Sequence, residues 1–399
     1  MEGRARGVAL GLWALAALAA CSHALGEVEL ALPAPPPVEE AAAASGDAVP
    51  LGARPERRPP APLAAQAPPM PLPVAPPLPA ETHPPPAADD EPVPPFLHLR
   101  DHGVLTIEPG WQESASLTAC ATRAIAAAGL APLVADKSLG VALVDLSGER
   151  LLRPEVAFVN ERWTTYAASV SKTLLLLSAF VLREDARQGR LPLDAPTPEL
   201  AGIFRSDGGR LVPEFNADFE ASLGKMIRES HNESASRLID LVSPGFIADV
   251  AWSHRLYRPS LGGGLWMGAP FRPGSMLAPD PVTGQWHAAS ALGLARYFTL
   301  LAQGRLVSPA ASAEMKALHA DSPIIDRFNR ALLAHRPGSK LYRKTGTYWV
   351  GELLWAHDAA LVERGPVRYV ATAVCMSKIC EVGLWGLILG LDDCIAAAG

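Results

Sequence analysis

From Phe96 to Gly399 the sequence predicts an α+β domain: an antiparallel sheet assembled from both ends of the chain, with a helical lobe inserted between them. Three observations predict it. Near the start, "LGVALVDLSGERLLRPEVAFV" reads as two strands joined at Ser147-Gly148. Near the end, "SKLYRKTGTYWV", "LLWAHDAALVE" and "VRYVATAVCM" follow one another as a meander, the last two separated by Arg364-Gly365-Pro366. Between these lie stretches such as "LGKMIRESHNESASRLIDLV" and "SALGLARYFTLLAQGRL", whose apolar residues recur at three- and four-residue steps.

The chain before Phe96 has a different character. "MEGRARGVALGLWALAALAAC" sets Arg4 and Arg6 before an apolar run that closes on small residues, the layout of a secretory signal over residues 1–21. Its end, Leu18-Ala19-Ala20-Cys21, resembles the lipobox of bacterial lipoproteins, which implies acylation of Cys21 and an N-terminal lipid anchor in a membrane. Plain secretion is the alternative, and Ser22 after the cysteine favours the outer membrane of a Gram-negative cell. Either reading puts the protein outside the cytoplasm. Residues 22–95 hold 22 of the 39 prolines; proline fixes φ and lacks a donor, so this segment cannot build a core. It reads as a disordered Pro/Ala-rich tether, reaching at most about 3.1 Å per residue.

The remaining chain, about 300 residues, is long enough for one large domain with a sizeable core. In order it predicts a helix within Gln112–Leu130, the two strands, a helix from Ser169 to Gln188, a helical stretch carrying Ser230-His231-Asn232, and a long loop in "PSLGGGLWMGAPFRPGSMLAPDPVTGQW". A further helix, the meander and a final helix over Val382–Ala397 complete it. A formal net charge of −6 gives no footing for nucleic acid. "TLLLLSAFVL" and "VGLWGLILGL" are too short to span a bilayer and read as buried helices. Besides Cys21 there are four cysteines, Cys120, Cys375, Cys380 and Cys394, which an oxidising compartment can pair in three ways; their spacing does not fit a zinc site.

The chemistry begins at "YAASVSKTLLLL". Lys172 heads an apolar run where a leucine would be buried at no cost, so it must be paired, desolvated or both, and each perturbs its pKa. Three residues apart on a helix, Ser169 and Lys172 share a face, which makes the lysine a base for the serine proton. Ser-x-x-Lys alone is a weak signal. Two further pieces follow in order: "SHN", Ser230 to Asn232, and "KTGT", Lys344 to Thr347, on a strand. Ordered in this way, Ser-x-x-Lys, Ser-x-Asn and Lys-Thr-Gly are the signature of class A β-lactamases and penicillin-binding proteins. The sequence resembles that superfamily from about Lys137 to Ala397, including "VNERWTTYAASVSKTLLLL" around the serine and "KMIRESHNESASRLI" around the second motif.

The resemblance implies a β-lactamase/transpeptidase-like fold in α/β/α layers, acting as a monomer without metal or organic cofactor. It assigns Ser169 as acylated nucleophile, Lys172 as its activator and Ser230 as proton relay to the leaving nitrogen. Asn232 would bind the substrate's side-chain amide, Lys344 and Thr345 its carboxylate, and the N–H groups of Ser169 and Thr347 the oxyanion. Gly346 would let substrate lie close along the strand. The first and last helices of this fold lie side by side, which pairs Cys120 with Cys394 and leaves Cys375 with Cys380, or both reduced.

One departure stands out. Class A enzymes carry a loop glutamate that activates the deacylating water, whereas Leu265–Gly274 reads "LWMGAPFRPG" and has no acidic residue. Asp280, in "APDPVTG", is the nearest carboxylate and reads as a turn former. His287, His357 and Asp358 are other candidate bases, though structural roles suit them better; His357 and Asp358 would face opposite ways on a strand. Trp266, Trp286, Trp349 and Trp355 are candidates for an aromatic wall against an apolar acyl group, with core packing as the plainer account. The expected function is therefore an extracytoplasmic serine acyl-hydrolase acting on a β-lactam or acyl-peptide through an acyl-Ser169 intermediate. The alternatives are a D-Ala-D-Ala peptidase, esterase or penicillin-binding protein with slow deacylation, and a non-catalytic envelope binding protein.

Overall fold

The computed structural model describes residues 108–272, 278–320 and 322–398. The signal segment, Cys21, the proline-rich tether and the first residues of the domain lie outside them.

A short strand β1 (Gln112–Glu113) leads into helix α1 (Ala115–Ala127), whose first turn is capped by Ser114 Oγ accepting from Leu117 N–H. Strands β2 (Leu139–Asp145) and β3 (Glu155–Val159) follow, then β4 (Thr164–Tyr166) and helix α2 (Lys172–Arg187). The helical lobe continues with α3 (Ala217–Arg228), α4 (Asn232–Val242) and α5 (Pro244–Ser253). Two short strands, β5 (Trp266–Met267) and β6 (His287–Ser290), join β4 in a small antiparallel sheet in which β6 lies between β4 and β5. Helices α6 (Ala291–Ala302), α7 (Pro309–His319) and α8 (Arg327–His335) return the chain to the main sheet. There β7 (Lys340–Val350), β8 (Leu353–Arg364) and β9 (Val367–Cys375) form the meander, and α9 (Cys380–Ala398) closes the domain.

The main sheet has the order β1-β3-β2-β9-β8-β7, so β2 and β9, from opposite ends of the domain, pair antiparallel at its centre and β7 forms an edge. The expected antiparallel sheet is present with one exception: β1 pairs parallel to β3. Side chains alternate across the sheet. Val141 and Leu143 pack with α1, α8 and α9, while Ala142 and Val144 face the helical lobe. Helix α2 is buried on nearly all sides, which is why "TLLLL" carries no polar stripe. Disulfides join Cys120 to Cys394, tying α1 to α9 as the fold implied, and Cys375 to Cys380.

Three local expectations need correction. Ser230-His231-Asn232 does not lie within a helix: Ser230 has φ +58° and breaks the chain between α3 and α4, and His231 caps α4 by accepting from Ser234 N–H at 3.2 Å. The helical periodicity on both sides hides this break, because α3 and α4 each bury an apolar face. Ser169 sits in a 3₁₀ turn, Ala168–Ser171, and the α-helix begins only at Lys172. The long loop before β6 contains short strands, Trp266–Met267 among them.

Candidate active site

The turn that carries Ser169 is held from three sides. Ala167 N–H donates to the His287 carbonyl of β6 at 3.0 Å. His357 of β8 accepts from Cys375 N–H on Nδ1 at 3.0 Å, so its proton sits on Nε2 and is donated to the Tyr166 carbonyl at 2.8 Å. The third support is β7: a Cβ on Gly346 would lie 3.0 Å from the Ala167 carbonyl oxygen and 3.1 Å from Ser169 N. The approach that forbids a side chain there is thus made by the serine turn itself. Ala168, just before Ser169, has φ +46°, a left-handed conformation that costs an alanine about 1 kcal/mol or more and that the packing around it enforces.

Lys172 is fully buried, and burial lowers its pKa to about 7. Its Nζ lies 2.6 Å from the Ser230 carbonyl, 2.6 Å from Asn232 Oδ1 and 3.2 Å from Ser169 Oγ. A neutral amine has two N–H bonds and one lone pair. In the neutral form the two short acceptors take both hydrogens and leave the lone pair for Ser169 Oγ; in the protonated form the third hydrogen points there instead.

Ser230 Oγ accepts from Lys344 Nζ at 2.8 Å and stands 3.5 Å from Lys172 Nζ, so it bridges the two amines. The left-handed φ of Ser230 lets one residue present its carbonyl to Lys172 and its hydroxyl to Lys344. Lys344, also buried, donates to the Thr345 carbonyl at 2.8 Å, and burial, Lys172 and Arg343 hold its pKa well below the usual lysine range. The structure thus brings Ser169, Lys172, Ser230, Asn232 and Lys344 into one cluster.

The remaining residues of the third motif face a group that sequence reasoning missed. Arg327, at the start of α8, donates to Thr345 Oγ1 and Thr347 Oγ1, each at 2.8 Å, and to Glu381 at 2.9 Å. Thr345 is buried, and its own proton has protein acceptors, Asp326 at 3.1 Å and the His357 carbonyl at 3.2 Å. Thr347 is exposed and keeps a hydroxyl proton for a ligand. No spacing rule links Arg327 to Lys-Thr-Gly; its charge arrives through tertiary packing.

Other candidates resolve into structural roles. Asp280 is buried, accepts from the Val282 and Thr283 N–H groups, and is bonded by the hydroxyls of Tyr257 and Thr283, as a turn former should be. Asp358 pairs with Arg343 and accepts from Phe328 N–H at 3.1 Å. Trp266 is core, its Nε1 bonded to the Ala278 carbonyl, while Trp286 and Trp349 are exposed. Phe271 lies beside the buried amine: its N–H donates to Ser236 Oγ at 2.9 Å, and its ring centroid lies 4.5 Å from Lys172 Nζ. His287 stacks on that ring at 4.4 Å, and burial with the Lys172 charge lowers its pKa to about 3. An imidazole that acidic is a poor base at neutral pH. Among the described residues no cluster of His, Cys, Asp and Glu is arranged to hold a metal ion.

The family model described as the beta-lactamase enzyme family matches residues 126–378. No curated protein matches by sequence. Similar solved structures include a beta-lactamase from Sphaerobacter thermophilus, 18% identical, covering 69% of this chain and 97% of its own, with a TM-score of 0.45. A beta-lactamase from Chitinophaga pinensis is 16% identical over 67% of this chain and 97% of its own, TM-score 0.47. PBP-A is 16% identical over 73% and 98%, TM-score 0.48.

Proposed function

We propose, because this chain belongs to the beta-lactamase enzyme family, that its cleft is a serine acyl-hydrolase site in which Ser169 attacks a β-lactam amide or a related acyl compound. Neutral Lys172 takes the Ser169 proton as the Oγ–carbon bond forms. The N–H groups of Ser169 and Thr347 receive the oxyanion. As the carbon–nitrogen bond breaks, the proton passes from Lys172 through Ser230 to the leaving nitrogen. Asn232, with Oδ1 bonded to Lys172, offers its Nδ2 hydrogens to the substrate's side-chain amide. Lys344 and Thr347, backed by Arg327, hold the carboxylate, with Thr345 contributing through the same arginine.

The observation that carries this reading is the placement of Lys172 Nζ, with two acceptors at 2.6 Å and Ser169 Oγ at 3.2 Å. The test is stopped-flow reaction of the protein with a chromogenic cephalosporin. Parent protein should consume about one equivalent in a burst, as an acyl-enzyme mechanism does. Equal consumption by Lys172→Ala would contradict the assignment of the base.

Phe271 supports a second reading of the later step. General-base help to water contributes about 10²–10⁴-fold, and Leu265–Gly274 has no acidic residue to supply it, so the acyl group should leave slowly. That behaviour suits a penicillin-binding protein or peptidase better than a fast lactamase. We further propose an extracytoplasmic location, with Cys21 as a lipid anchor and residues 22–95 as a tether. None of the described helices is long and apolar enough to cross a membrane.

A further inference from the structure

Strands β7 and β8 continue past the serine as a hairpin, and one face of it is unusual. Alternate residues share a face, so Lys344, Gly346, Tyr348 and Val350 look the same way, joined in register by Ala359, His357, Trp355 and Leu353. Lys344 and Gly346 show which way that is: one bonds Ser230, and the other lies against the Ser169 turn. Tyr348, Val350, Leu353 and Trp355 therefore extend the catalytic face beyond the nucleophile. Exposures of 46%, 52% and 38% for Tyr348, Val350 and Leu353 leave much of this apolar surface in water. Tyr166, three residues before Ser169, joins it with ring centroids 5.0 Å from Tyr348 and 5.9 Å from Trp355. Trp355 is fixed by Nε1 donating to Thr165 Oγ1 at 3.1 Å. A contiguous apolar strip running out of a cleft marks a binding surface, where scattered apolar residues would not.

We propose that this strip, Tyr166, Tyr348, Val350, Leu353 and Trp355, is an acyl subsite and that the substrate carries an extended alkyl or aryl side chain on the acyl side of the bond broken by Ser169, in a β-lactam the substituent of the side-chain amide. The inference rests on the acyl-hydrolase reading. Lys344 and Ser230 serve the leaving side, so the group on the other side of the carbonyl runs past Thr347 onto Tyr348. From Gly346 to Val350 and from Leu353 to His357 the residues of this face carry no carboxylate, lysine or arginine, and burial keeps His357 neutral, so nothing on this stretch pairs with a charged acyl substituent.

The test uses the full chain with penicillins that differ only in their acyl chain (acetyl, hexanoyl and octanoyl), following the second-order rate of adduct formation by intact mass. The rate should rise by about 2–4-fold for each methylene that leaves water, and the octanoyl-to-acetyl ratio should collapse in Tyr348→Ser and in Val350→Ser. A flat series on a chain whose adduct is absent from Ser169→Ala overturns the subsite and leaves the nucleophile standing. A steep series that survives both substitutions overturns it as well. A flat series together with a concentration-dependent dimer that Tyr348→Ser dissolves would give the face to a second copy of the chain. No Ser169 adduct with any member would overturn the reading on which the subsite rests.

Discussion

The ring of Phe271 lies over the amine of Lys172, its centroid 4.5 Å from Nζ, with the His287 ring stacked on the same side chain. The loop is pinned there by Phe271 N–H on Ser236 and by the two-bond Arg272–Asp240 pair. An aromatic face favours the protonated amine, against the direction in which burial moves Lys172, and a phenyl ring has no group that could take a proton from water.

Replacing Phe271 by glutamate should therefore shorten the life of a penicillin adduct. An increase of at least tenfold in adduct loss, read by intact mass over time, is the expected result, with about 10⁴-fold as the ceiling. An unchanged lifetime would mean that something other than this ring limits deacylation.

The acylation rate should follow the neutral fraction of Lys172. Burial depresses its pKa to about 7, so the amine is protonated below that pH and free above it. The rate of adduct formation should rise tenfold per pH unit on the acid side and level off above about pH 7. A profile flat from pH 5 to 9 would remove Lys172 from the role of base.

Gly346→Ala should damage both catalysis and fold. Its Cβ would sit 3.0 Å from Val170 N and 3.1 Å from Ser169 N, inside ordinary contact, so β7 or the serine turn must move. We expect a loss of about 1–3 kcal/mol in denaturant unfolding and at least a hundredfold slower acylation. Parent-like acylation would show that the turn yields without consequence.

Arg327→Ala leaves Thr345, Thr347 and Glu381 without their shared donor. A substrate bearing a carboxylate should then acylate about tenfold more slowly, through weaker binding, while its methyl ester is affected less. The two substrates losing rate equally would reduce Arg327 to a packing residue.

The sequence made the local parts of this site legible. Ser169 and Lys172 are close in any helical turn, Lys344 to Thr347 are consecutive, and β2 and β9 alternate as strands must. What joined those pieces was the ordered resemblance, which also paired Cys120 with Cys394 correctly. Arg327, Phe271 and Tyr166 stayed hidden because their contacts depend on loops and helix starts that no periodicity describes. Ser230 was misplaced for the same reason: the left-handed residue that presents its carbonyl and hydroxyl to two lysines lies between two good amphipathic helices.

The most direct test of the central claim is intact-protein mass spectrometry of the chain mixed with a penicillin, sampled over time beside Ser169→Ala. The account predicts one covalent adduct on the parent, none on the variant, and slow loss of that adduct. Equal consumption of the drug by both proteins would contradict it.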